Sequence, residues 1–389
     1  MQVMDRPPEP RQAAARNLLL ALNSRADFSR AAICRLGSEL ELWRGAPAAD
    51  RELARQLSMD MDTLSKALDL RADAEAVARR QFELCERWRA ETVTRFDVDY
   101  PSSLLELELP PPVLHFAGDL RRAIGDRGSP PLAGSTPAVA IVGSRRASSY
   151  GIEVATWLGK ELARAGATVV SGFARGVDAA AHRGALQAEN GSTIAVLGCG
   201  LGVDYPRGHR PLEEEIRARG ALLSEFPCAS PPESRNFPIR NRIIANLASA
   251  TVVVEAAPRS GSLVTARLAL EAGREVFAVP GRITDELALG TNELLRDGAG
   301  LVSHPSDLFE ALGWAAPRSS AALAEKLPPP GLRAAEAALF AALDAVSARP
   351  PDEVALAASL SIDETLRGLL DLELAGHVVR VPGGAYRRR

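Results

Sequence analysis

Apolar residues recur every three or four positions through most of residues 13–90, which is the spacing of amphipathic helices. The runs AAARNLLLALNS, RELARQLSMDMDTLSKAL and AEAVARRQFELCERWRAE carry this pattern. We therefore predict an N-terminal helical domain over residues 10–92. Because its residues form no chemical motif, the pattern favours a packing or interaction module.

The pattern changes near Thr92, where short runs of β-branched residues begin to alternate with amphipathic helices. Such alternation indicates parallel strands joined by right-handed crossovers. We predict a Rossmann-like, doubly wound and mostly parallel α/β core over residues 93–314. The predicted strands cover residues 138–142, 168–170, 193–197, 222–224, 251–255 and 275–279. The predicted helices between them cover residues 152–165, 178–189, 212–219, 239–247 and 263–272.

A third domain is predicted at residues 330–389, where three amphipathic helices precede two short strands that turn at Gly383 and Gly384. This order is typical of a winged-helix domain. Segments rich in proline, glycine and serine, residues 127–137 and 317–331, predict linkers. The third helix is acidic, with Asp363, Glu364, Asp371 and Glu373 against Arg367. Because such a helix repels phosphates, the domain favours protein contact or autoregulation over reading of a DNA groove.

The composition narrows the possible partners. Charged residues make up 24% and apolar residues 46% of the chain, as in an ordinary globular protein, and the formal net charge is only −3. A chain with this charge has no overall attraction for nucleic acid. Any DNA-binding site must therefore be a local basic patch.

Neither secretion nor membrane insertion is indicated. No run of about 18 apolar residues occurs, and no signal-peptide segment follows the N-terminus. The four cysteines show no CxxC spacing and the five histidines form no HExxH motif. We therefore expect a cytoplasmic protein without a metal site, a disulfide framework or a cofactor. The cysteines are Cys34, Cys85, Cys199 and Cys228.

Glycine-rich loops follow three of the predicted strands, two of them with arginine. These loops are GSRRAS at residues 143–148, SGFARG at 171–176 and GCGLG at 198–202. Glycine lets backbone N–H groups approach an anion, and the next helix N-terminus adds partial positive charge. Because ligands of open α/β sheets sit at the carboxyl ends of the strands, we expect these loops to bind phosphate groups. Taken singly, each loop is better explained as a tight turn, and it is the three loops together, with Arg145 and Arg175, that favour anion binding.

Two common nucleotide-binding motifs are absent. A dinucleotide site needs GxGxxG after the first strand and an acidic residue ending the second, but Gly143 is followed by SRRASSYG, and Ser171 and Gly172 end the second strand. No GxxxxGK[ST] segment occurs for nucleoside triphosphates. Since no serine or cysteine nucleophile is matched with His182, we predict no catalytic residue and no enzymatic activity.

The segment FPIRNRIIA, residues 237–245, combines an aromatic ring with two arginines. Guanidinium groups pair with phosphates, and a ring such as Phe237 stacks on any base, at about 1–3 kcal/mol per base. Together with Arg240 and Arg242, this ring suits a single-stranded nucleic acid. In the alternative interpretation, Phe237 is a hydrophobic staple and Arg240 forms an internal salt bridge.

Six segments, in this order and spacing, resemble the DprA family, also called Smf. They are VAIVGSRRASSYG, SGFARGVDAAAHRGAL, TIAVLGCGLGVDYP, FPIRNRIIA, VVVEAAPRSGSLVTARLALEAGREVFAVPG and GTNELLRDGA. The resemblance spans residues 100–312 and implies a Rossmann-like core with an N-terminal SAM-like and a C-terminal winged-helix domain. It also implies a homodimer that binds single-stranded DNA and loads the RecA recombinase onto it in natural transformation.

The resemblance and the residue patterns together predict one DNA-binding site. Its predicted residues are Gly143, Ser144, Arg145, Arg146, Gly172, Arg175, Phe237, Arg240, Asn241, Arg242, Ser260, Gly261 and Ser262. The hydroxyls of Ser260 and Ser262 are equally suited to cap the helix that follows them. No motif identifies the dimer surface or the RecA contact.

The second hypothesis is a nucleotide-processing enzyme resembling the lysine-decarboxylase-like phosphoribohydrolases. That chemistry needs a carboxylate one turn into the helix that follows the SGSLVTA loop, where this chain has Ala266, Arg267 and Leu268. Glu255, at a strand end, is a conceivable substitute. A carboxylate in that position more often caps a neighbouring loop.

Overall fold

The protein was analysed as a computed structural model, which describes residues 10–25, 28–39, 47–70, 72–124, 137–314, 332–344, 348–381 and 383–388. It divides into two compact units, Met1–Ala316 and Pro317–Arg389. Nearly all of the predicted linker 127–137 and the whole of 317–331 lie outside the described residues.

The N-terminal segment folds into helices, as its apolar spacing predicts. They are α1 (Pro10–Asn23), α2 (Arg30–Glu39), α3 (Pro47–Gln56), α4 (Met61–Asp69) and α5 (Ala74–Arg87). Their apolar faces meet in one cluster, in which Leu19, Leu22, Ile33 and Leu64 are fully buried. Val113 of the sheet belongs to the same cluster, so the helices pack directly on the α/β core.

Nine strands of the described residues form one sheet. They are β1 (Glu91–Thr94), β2 (Val113–Gly118), β3 (Ala138–Val142), β4 (Thr168–Ser171), β5 (Ser192–Val196), β6 (Ala221–Ser224), β7 (Ala250–Val253), β8 (Glu275–Ala278) and β9 (Gly300–Leu301). Their order across the sheet is β1-β2-β6-β5-β4-β3-β7-β8-β9. Strand β2 runs antiparallel to β1 and β6, and every other neighbouring pair is parallel. The predicted mostly parallel sheet is confirmed.

Strand β3 shows why the central strands read as continuous apolar runs. All five of its residues are buried. Ala138, Ala140 and Val142 belong to the apolar cluster on one face of the sheet, and Val139 and Ile141 to the cluster on the other. A parallel strand covered by helices on both faces needs apolar side chains at every position rather than at alternate ones.

Helices cover both faces of this sheet. They are α6 (Leu120–Ile124), α7 (Ser149–Arg164), α8 (Val177–Gln187), α9 (Arg210–Arg219), α10 (Asn236–Leu247), α11 (Gly261–Glu271), α12 (Glu286–Arg296) and α13 (Pro305–Ala311), with a 3₁₀ helix at Ser102–Glu106. The sequence patterns missed β1, α6, α12, β9 and α13. Helix α10 begins earlier than predicted, because Pro238 lies in its first turn, where a helix needs no N–H donor.

A crevice forms at the carboxyl end of the sheet. Strand β3 lies between β4 and β7. The chain leaves β3 towards β4 and later returns to β7 on the opposite side, so the loops after these strands diverge. The loops after β3, β4, β5 and β7 all lie along this edge, as predicted for a doubly wound sheet.

The second unit contains α14 (Ala334–Ala342), α15 (Pro351–Ala358) and α16 (Ile362–Leu374), followed by β10 (Val378–Arg380) and β11 (Tyr386–Arg388). The two strands pair antiparallel, and Gly383 and Gly384 between them have φ of 97° and 82°. These left-handed values explain why glycine occupies the turn. The predicted order of three helices and a two-stranded wing is confirmed.

No helix among the described residues combines the length and the apolar character needed to cross a membrane.

His182 ties helix α8 to the sheet. Its Nδ1 lies 2.7 Å from the hydroxyl of Thr193, and that hydroxyl donates to the Val169 carbonyl oxygen at 2.7 Å. Because the hydroxyl proton is already used, Nδ1–H must be the donor and Nε2 is left unprotonated. Burial lowers the pKa of His182 to about 3. The ring is therefore a neutral bracing group.

This burial makes the stability of the core depend on pH. An unfolded histidine takes up a proton near pH 6.5, whereas folded His182 stays neutral until about pH 3. Its contribution to the free energy of unfolding is therefore complete above pH 6.5 and falls by about 1.4 kcal/mol for each pH unit below it. We expect the free energy of unfolding of His182→Gln to fall less steeply than that of the natural chain between pH 6.5 and pH 4.5, by about 1.4 kcal/mol per pH unit. Urea unfolding followed by tryptophan fluorescence measures it, since all four tryptophans lie in the first unit. Equal slopes in both proteins would contradict the assignment.

Candidate nucleic-acid interface

Two adjoining cavities open at the carboxyl edge of the sheet. One, of about 420 Å³, lies between the loop after β3 and the N-termini of α10 and α11. The other, of about 730 Å³, lies between the loops after β3, β4 and β5. They share a wall that is lined by Arg145, Ala174, Tyr205 and Phe237.

The shared wall is built around the ring of Phe237. The Arg145 guanidinium carbon lies 5.0 Å from the centre of this ring, and the Tyr205 ring centre lies 5.5 Å from it at an interplanar angle of 40°. The ring lies over the end of β5 because residue 198 is glycine. A Cβ atom at that position would come within 2.5 Å of Phe237 Cδ1. The absent side chain of Gly198 thus makes room for the aromatic wall.

Gly176 allows the loop after β4 to pack closely against the loop after β3. It has φ 78° and ψ −128°, a conformation that is essentially restricted to glycine. A Cβ atom there would lie 2.2 Å from the Ser144 carbonyl oxygen, which accepts a hydrogen bond from the Val177 N–H at 3.2 Å. The two loops are therefore held in register. Arg145 and Arg175 are both left exposed along the same edge.

The smaller cavity ends at the N-terminus of α11. Ser260 occupies the N-cap position, but its side chain makes no capping hydrogen bond and instead meets the Ser262 hydroxyl at 2.7 Å. The Asn241 amide holds this turn by donating to the Gly261 carbonyl oxygen at 3.2 Å. The hydroxyls of Ser260 and Ser262 therefore line the cavity rather than cap the helix, and the helix N-terminus adds positive potential there.

Arg240 forms the floor of the smaller cavity. Its side chain is buried, donates to the Val196 carbonyl oxygen, and lies beside Gly172, which has no side chain to obstruct it. Burial lowers the pKa of Arg240 to about 10, although the neighbouring Asp178 counteracts the effect. Burial also raises the pKa of Asp178, despite the nearby guanidinium. Arg240 is thus a fixed internal charge at the cavity floor, not a freely moving phosphate clamp.

Arg242 is the one predicted site residue that lines neither cavity. It pairs with the buried carboxylate of Glu225 at 2.6 Å, and its side chain is only 14% exposed. Burial opposes its charge, but Glu225 raises the pKa of Arg242 above its ordinary value. Since Arg240 and Arg242 are two positions apart on one helix, they cannot face the same side. The prediction that both would face one ligand is corrected: Arg240 faces the cavity and Arg242 faces the interior.

The larger cavity is the more basic of the two. Arg146, Arg175 and Arg207 are exposed around it, together with the shared Arg145, against the carboxylate of Asp204. Gly172, which sequence reasoning also chose, lies in its lining. All the remaining predicted site residues line one cavity or the other.

Sequence reasoning missed several residues of this edge, among them Tyr205, Arg207 and Asp178. Tyr205 and Arg207 lie in the VDYPRGH segment after β5, where an aromatic residue and an arginine flank a proline. An aromatic residue and an arginine together in a loop at a strand end were the sequence signal by which these two site residues could have been identified. Asp178 had none, because an acidic residue in the first turn of a helix is normally a capping residue.

Glu255 serves the scaffold. Its carboxylate accepts hydrogen bonds from the Ser148 N–H, at 2.9 Å, and from the Ser148 hydroxyl. Ser148 in turn caps α7 by accepting from the Gly151 N–H at 3.1 Å. Glu255 thus caps the neighbouring loop, so the carboxylate considered as a substitute in the phosphoribohydrolase hypothesis is already engaged.

Two family models match the chain. That of DNA recombination-mediator protein A matches residues 91–313, and that of the DprA winged helix domain matches residues 324–384. Among curated relatives, protein Smf of Synechocystis sp. is 37% identical over 76% of this chain and 80% of its own length. DNA processing protein DprA of Bacillus subtilis is 33% identical over 70% of this chain and 89% of its own length.

Two of the solved structures that resemble this fold are DNA processing proteins. DprA from Streptococcus pneumoniae aligns with a TM-score of 0.54 at 31% identity, over 77% of this chain and 94% of that one. DNA processing protein A from Helicobacter pylori, whose structure concerns its single-stranded DNA binding mode, aligns with a TM-score of 0.50 at 31% identity, over 58% of this chain and 95% of that one. With a family model that covers more than half of its residues, the chain belongs to the DprA family of DNA recombination-mediator proteins.

Proposed function

We propose that this chain binds single-stranded DNA along the two adjoining cavities, with little sequence preference and without catalysis. The observation that carries the proposal is the wall of Arg145, Phe237 and Tyr205, which presents aromatic surface beside an exposed positive charge. Family membership supports it, as does the DNA-binding relative from Helicobacter pylori.

The chemistry of this edge suits a single strand better than a duplex. Base faces are free to stack on aromatic rings only where the strand is unpaired. Every base has such a face, so stacking on Phe237 or Tyr205 selects no sequence. Exposed Arg146, Arg175 and Arg207 then follow the phosphates on either side of the wall.

Loading of RecA onto the bound strand, during natural transformation, is the role that family membership favours. The second unit is suited to protein contact, because its α16 carries exposed apolar side chains between acidic ones. The exposed apolar residues, which recur every fourth position, are Ile362, Leu366, Leu370 and Leu374. A helix of this kind repels phosphates and offers an apolar face.

We also propose that the chain acts as a homodimer. Two apolar side chains, Ile283 and Leu289, are exposed near the start of α12, with 85% and 42% of their surface accessible. Burial of such side chains against a second copy would remove apolar surface from water.

Replacing two of the exposed arginines, Arg145→Ala with Arg175→Ala, should weaken binding of a labelled oligothymidine at least about 100-fold. Hydrogen bonds to charged groups contribute about 1.5–3 kcal/mol each. The plot of log affinity against log salt should also become shallower by about 1.4, since each phosphate contact on a single strand contributes about 0.7. Fluorescence anisotropy measures both quantities.

The matched control is Arg267→Ala with Arg296→Ala, which removes the same charge from two exposed arginines outside both cavities. It should bind like the natural chain. Equal affinity in all three proteins would overturn the proposed groove. Arg240 is unsuitable for this test, because its replacement would leave Asp178 buried beside an empty space.

Substituting Gly198→Ala tests the aromatic wall without altering the ring. The new methyl group would collide with Phe237 and displace it from Tyr205. We expect a loss of affinity for single strands of about 5- to 150-fold, equivalent to one base stack of about 1–3 kcal/mol. A crystal structure with a displaced ring but unchanged affinity would rule out stacking on Phe237.

Replacing Ile283→Arg together with Leu289→Arg should convert the dimer to a monomer, because two charges would have to be buried at the interface. Light scattering coupled to size exclusion reads the mass directly. Leu270→Arg, at a side chain 58% exposed on α11, is the control and should remain dimeric. If the double variant keeps the dimer mass, the interface lies elsewhere.

A further inference from the structure

Two cysteines and a histidine meet in the interior, where the N-terminal helices pack on the sheet. Cys85 of α5 lies 2.8 Å from Cys228, measured between the sulfurs, although 143 positions separate them in the chain. His115 of β2 completes the group, with its Nδ1 3.4 Å from Cys85 Sγ. All three side chains are buried, and all three donor atoms lie within 4.8 Å of one another.

A chain of hydrogen bonds fixes the tautomer of His115. Arg30 donates to Asn23 Oδ1. Since a guanidinium cannot accept a hydrogen bond, the oxygen of the Asn23 side chain must face Arg30, and its NH₂ group faces His115. That amide lies 3.3 Å from His115 Nε2 and donates to it. The ring proton therefore resides on Nδ1, which faces Cys85 Sγ and the Thr92 hydroxyl.

This arrangement favours a thiolate on Cys85. Hydrogen bonds from Cys228 and His115 outweigh burial and lower the pKa of the Cys85 thiol, whereas donation to Cys85 and burial raise the pKa of Cys228. The other two cysteines differ, because burial raises the pKa of Cys34 and of Cys199 to about 11. Only Cys85 therefore combines thiolate character with a second sulfur beside it.

The geometry favours a bond between the sulfurs over a shared metal ion. Two thiolates on a tetrahedral zinc at about 2.3 Å would lie about 3.8 Å apart, further than the sulfurs are here. A metal at His115 Nδ1 would also need the lone pair of the nitrogen that carries the proton. A disulfide requires the sulfurs to approach by only about 0.8 Å.

We propose that Cys85 and Cys228 are a dithiol modification site, which a peroxide converts into an intramolecular disulfide. The Cys85 thiolate attacks one peroxide oxygen and becomes a sulfenic acid, and the O–O bond breaks to release hydroxide. The Cys228 sulfur then attacks Cys85 Sγ, its thiol proton is lost, and the sulfenic hydroxyl leaves. The balance is two thiols and one hydrogen peroxide to one disulfide and two waters. Both sulfurs are buried, so a small oxidant is required.

The bond would join the helical segment to the loops beneath the larger cavity. The loop that contains Cys228 is hydrogen-bonded to the loop after β5, through Gly200 N–H to the Ser230 carbonyl oxygen and Ala229 N–H to that of Leu201. At the end of α5, the Trp88 ring occupies the space that a side chain at Gly202 would fill. Oxidation would therefore anchor α5 covalently to the loop that contains Cys228, which is itself hydrogen-bonded to the loop after β5.

Peptide mapping of the full chain tests the proposal. The reduced protein is exposed to hydrogen peroxide, remaining thiols are alkylated in denaturant, and the protein is digested with trypsin. Each cysteine lies in its own tryptic peptide, so the pairing can be read directly. We expect loss of two of the four thiols and a link between residues 81–87 and 220–235, reversible by dithiothreitol.

The double variant Cys34→Ser with Cys199→Ser should form the same disulfide, whereas Cys85→Ser should leave the Cys228 peptide alkylated. The natural chain supplies the decisive result, so misfolding of a variant cannot decide the outcome. Persistence of all four thiols, a dominant link to Cys34 or Cys199, or one equivalent of zinc bound to the purified chain would each overturn the proposal. None of these results depends on DNA binding.

Discussion

The candidate site depends on one close approach, that of the Phe237 ring to the backbone at Gly198. Because no side chain intervenes there, the first turn of α10 settles over the end of β5. The ring then reaches both Tyr205 from the loop after β5 and Arg145 from the loop after β3. Three segments that are distant in the chain thereby become one surface.

The arginines around this surface differ in burial: Arg240 is buried, whereas those of the surrounding loops are exposed. Arg240 is enclosed beside Asp178 and donates to the sheet, so its charge is fixed in place and costs little further entropy when a ligand arrives. The arginines of the surrounding loops are exposed, so a phosphate backbone can reach them. A modest net charge of −3 is therefore compatible with a strongly basic edge.

The sequence predicted the core because each local signal agreed with the next. Continuous apolar runs such as β3 indicate strands covered on both faces, and amphipathic stretches such as α7 indicate the helices that cover them. Strand β9 escaped detection because its two residues carry too little periodicity, and β1 because only one of its four residues, ETVT, is apolar. The loops at the carboxyl edge were also predictable, since a parallel sheet brings all its strand ends to one side.

What the sequence by itself determined was which residue types stand at the strand ends. Only the tertiary structure decided which way they face and what they meet. Arg240 and Arg242 are indistinguishable in the segment FPIRNR, yet the helical rotation between them sends one to the cavity and the other to Glu225. Cys85, His115 and Cys228 show no spacing motif because three separate elements carry them. Local periodicity specifies elements, whereas contacts between distant segments arise only when those elements pack.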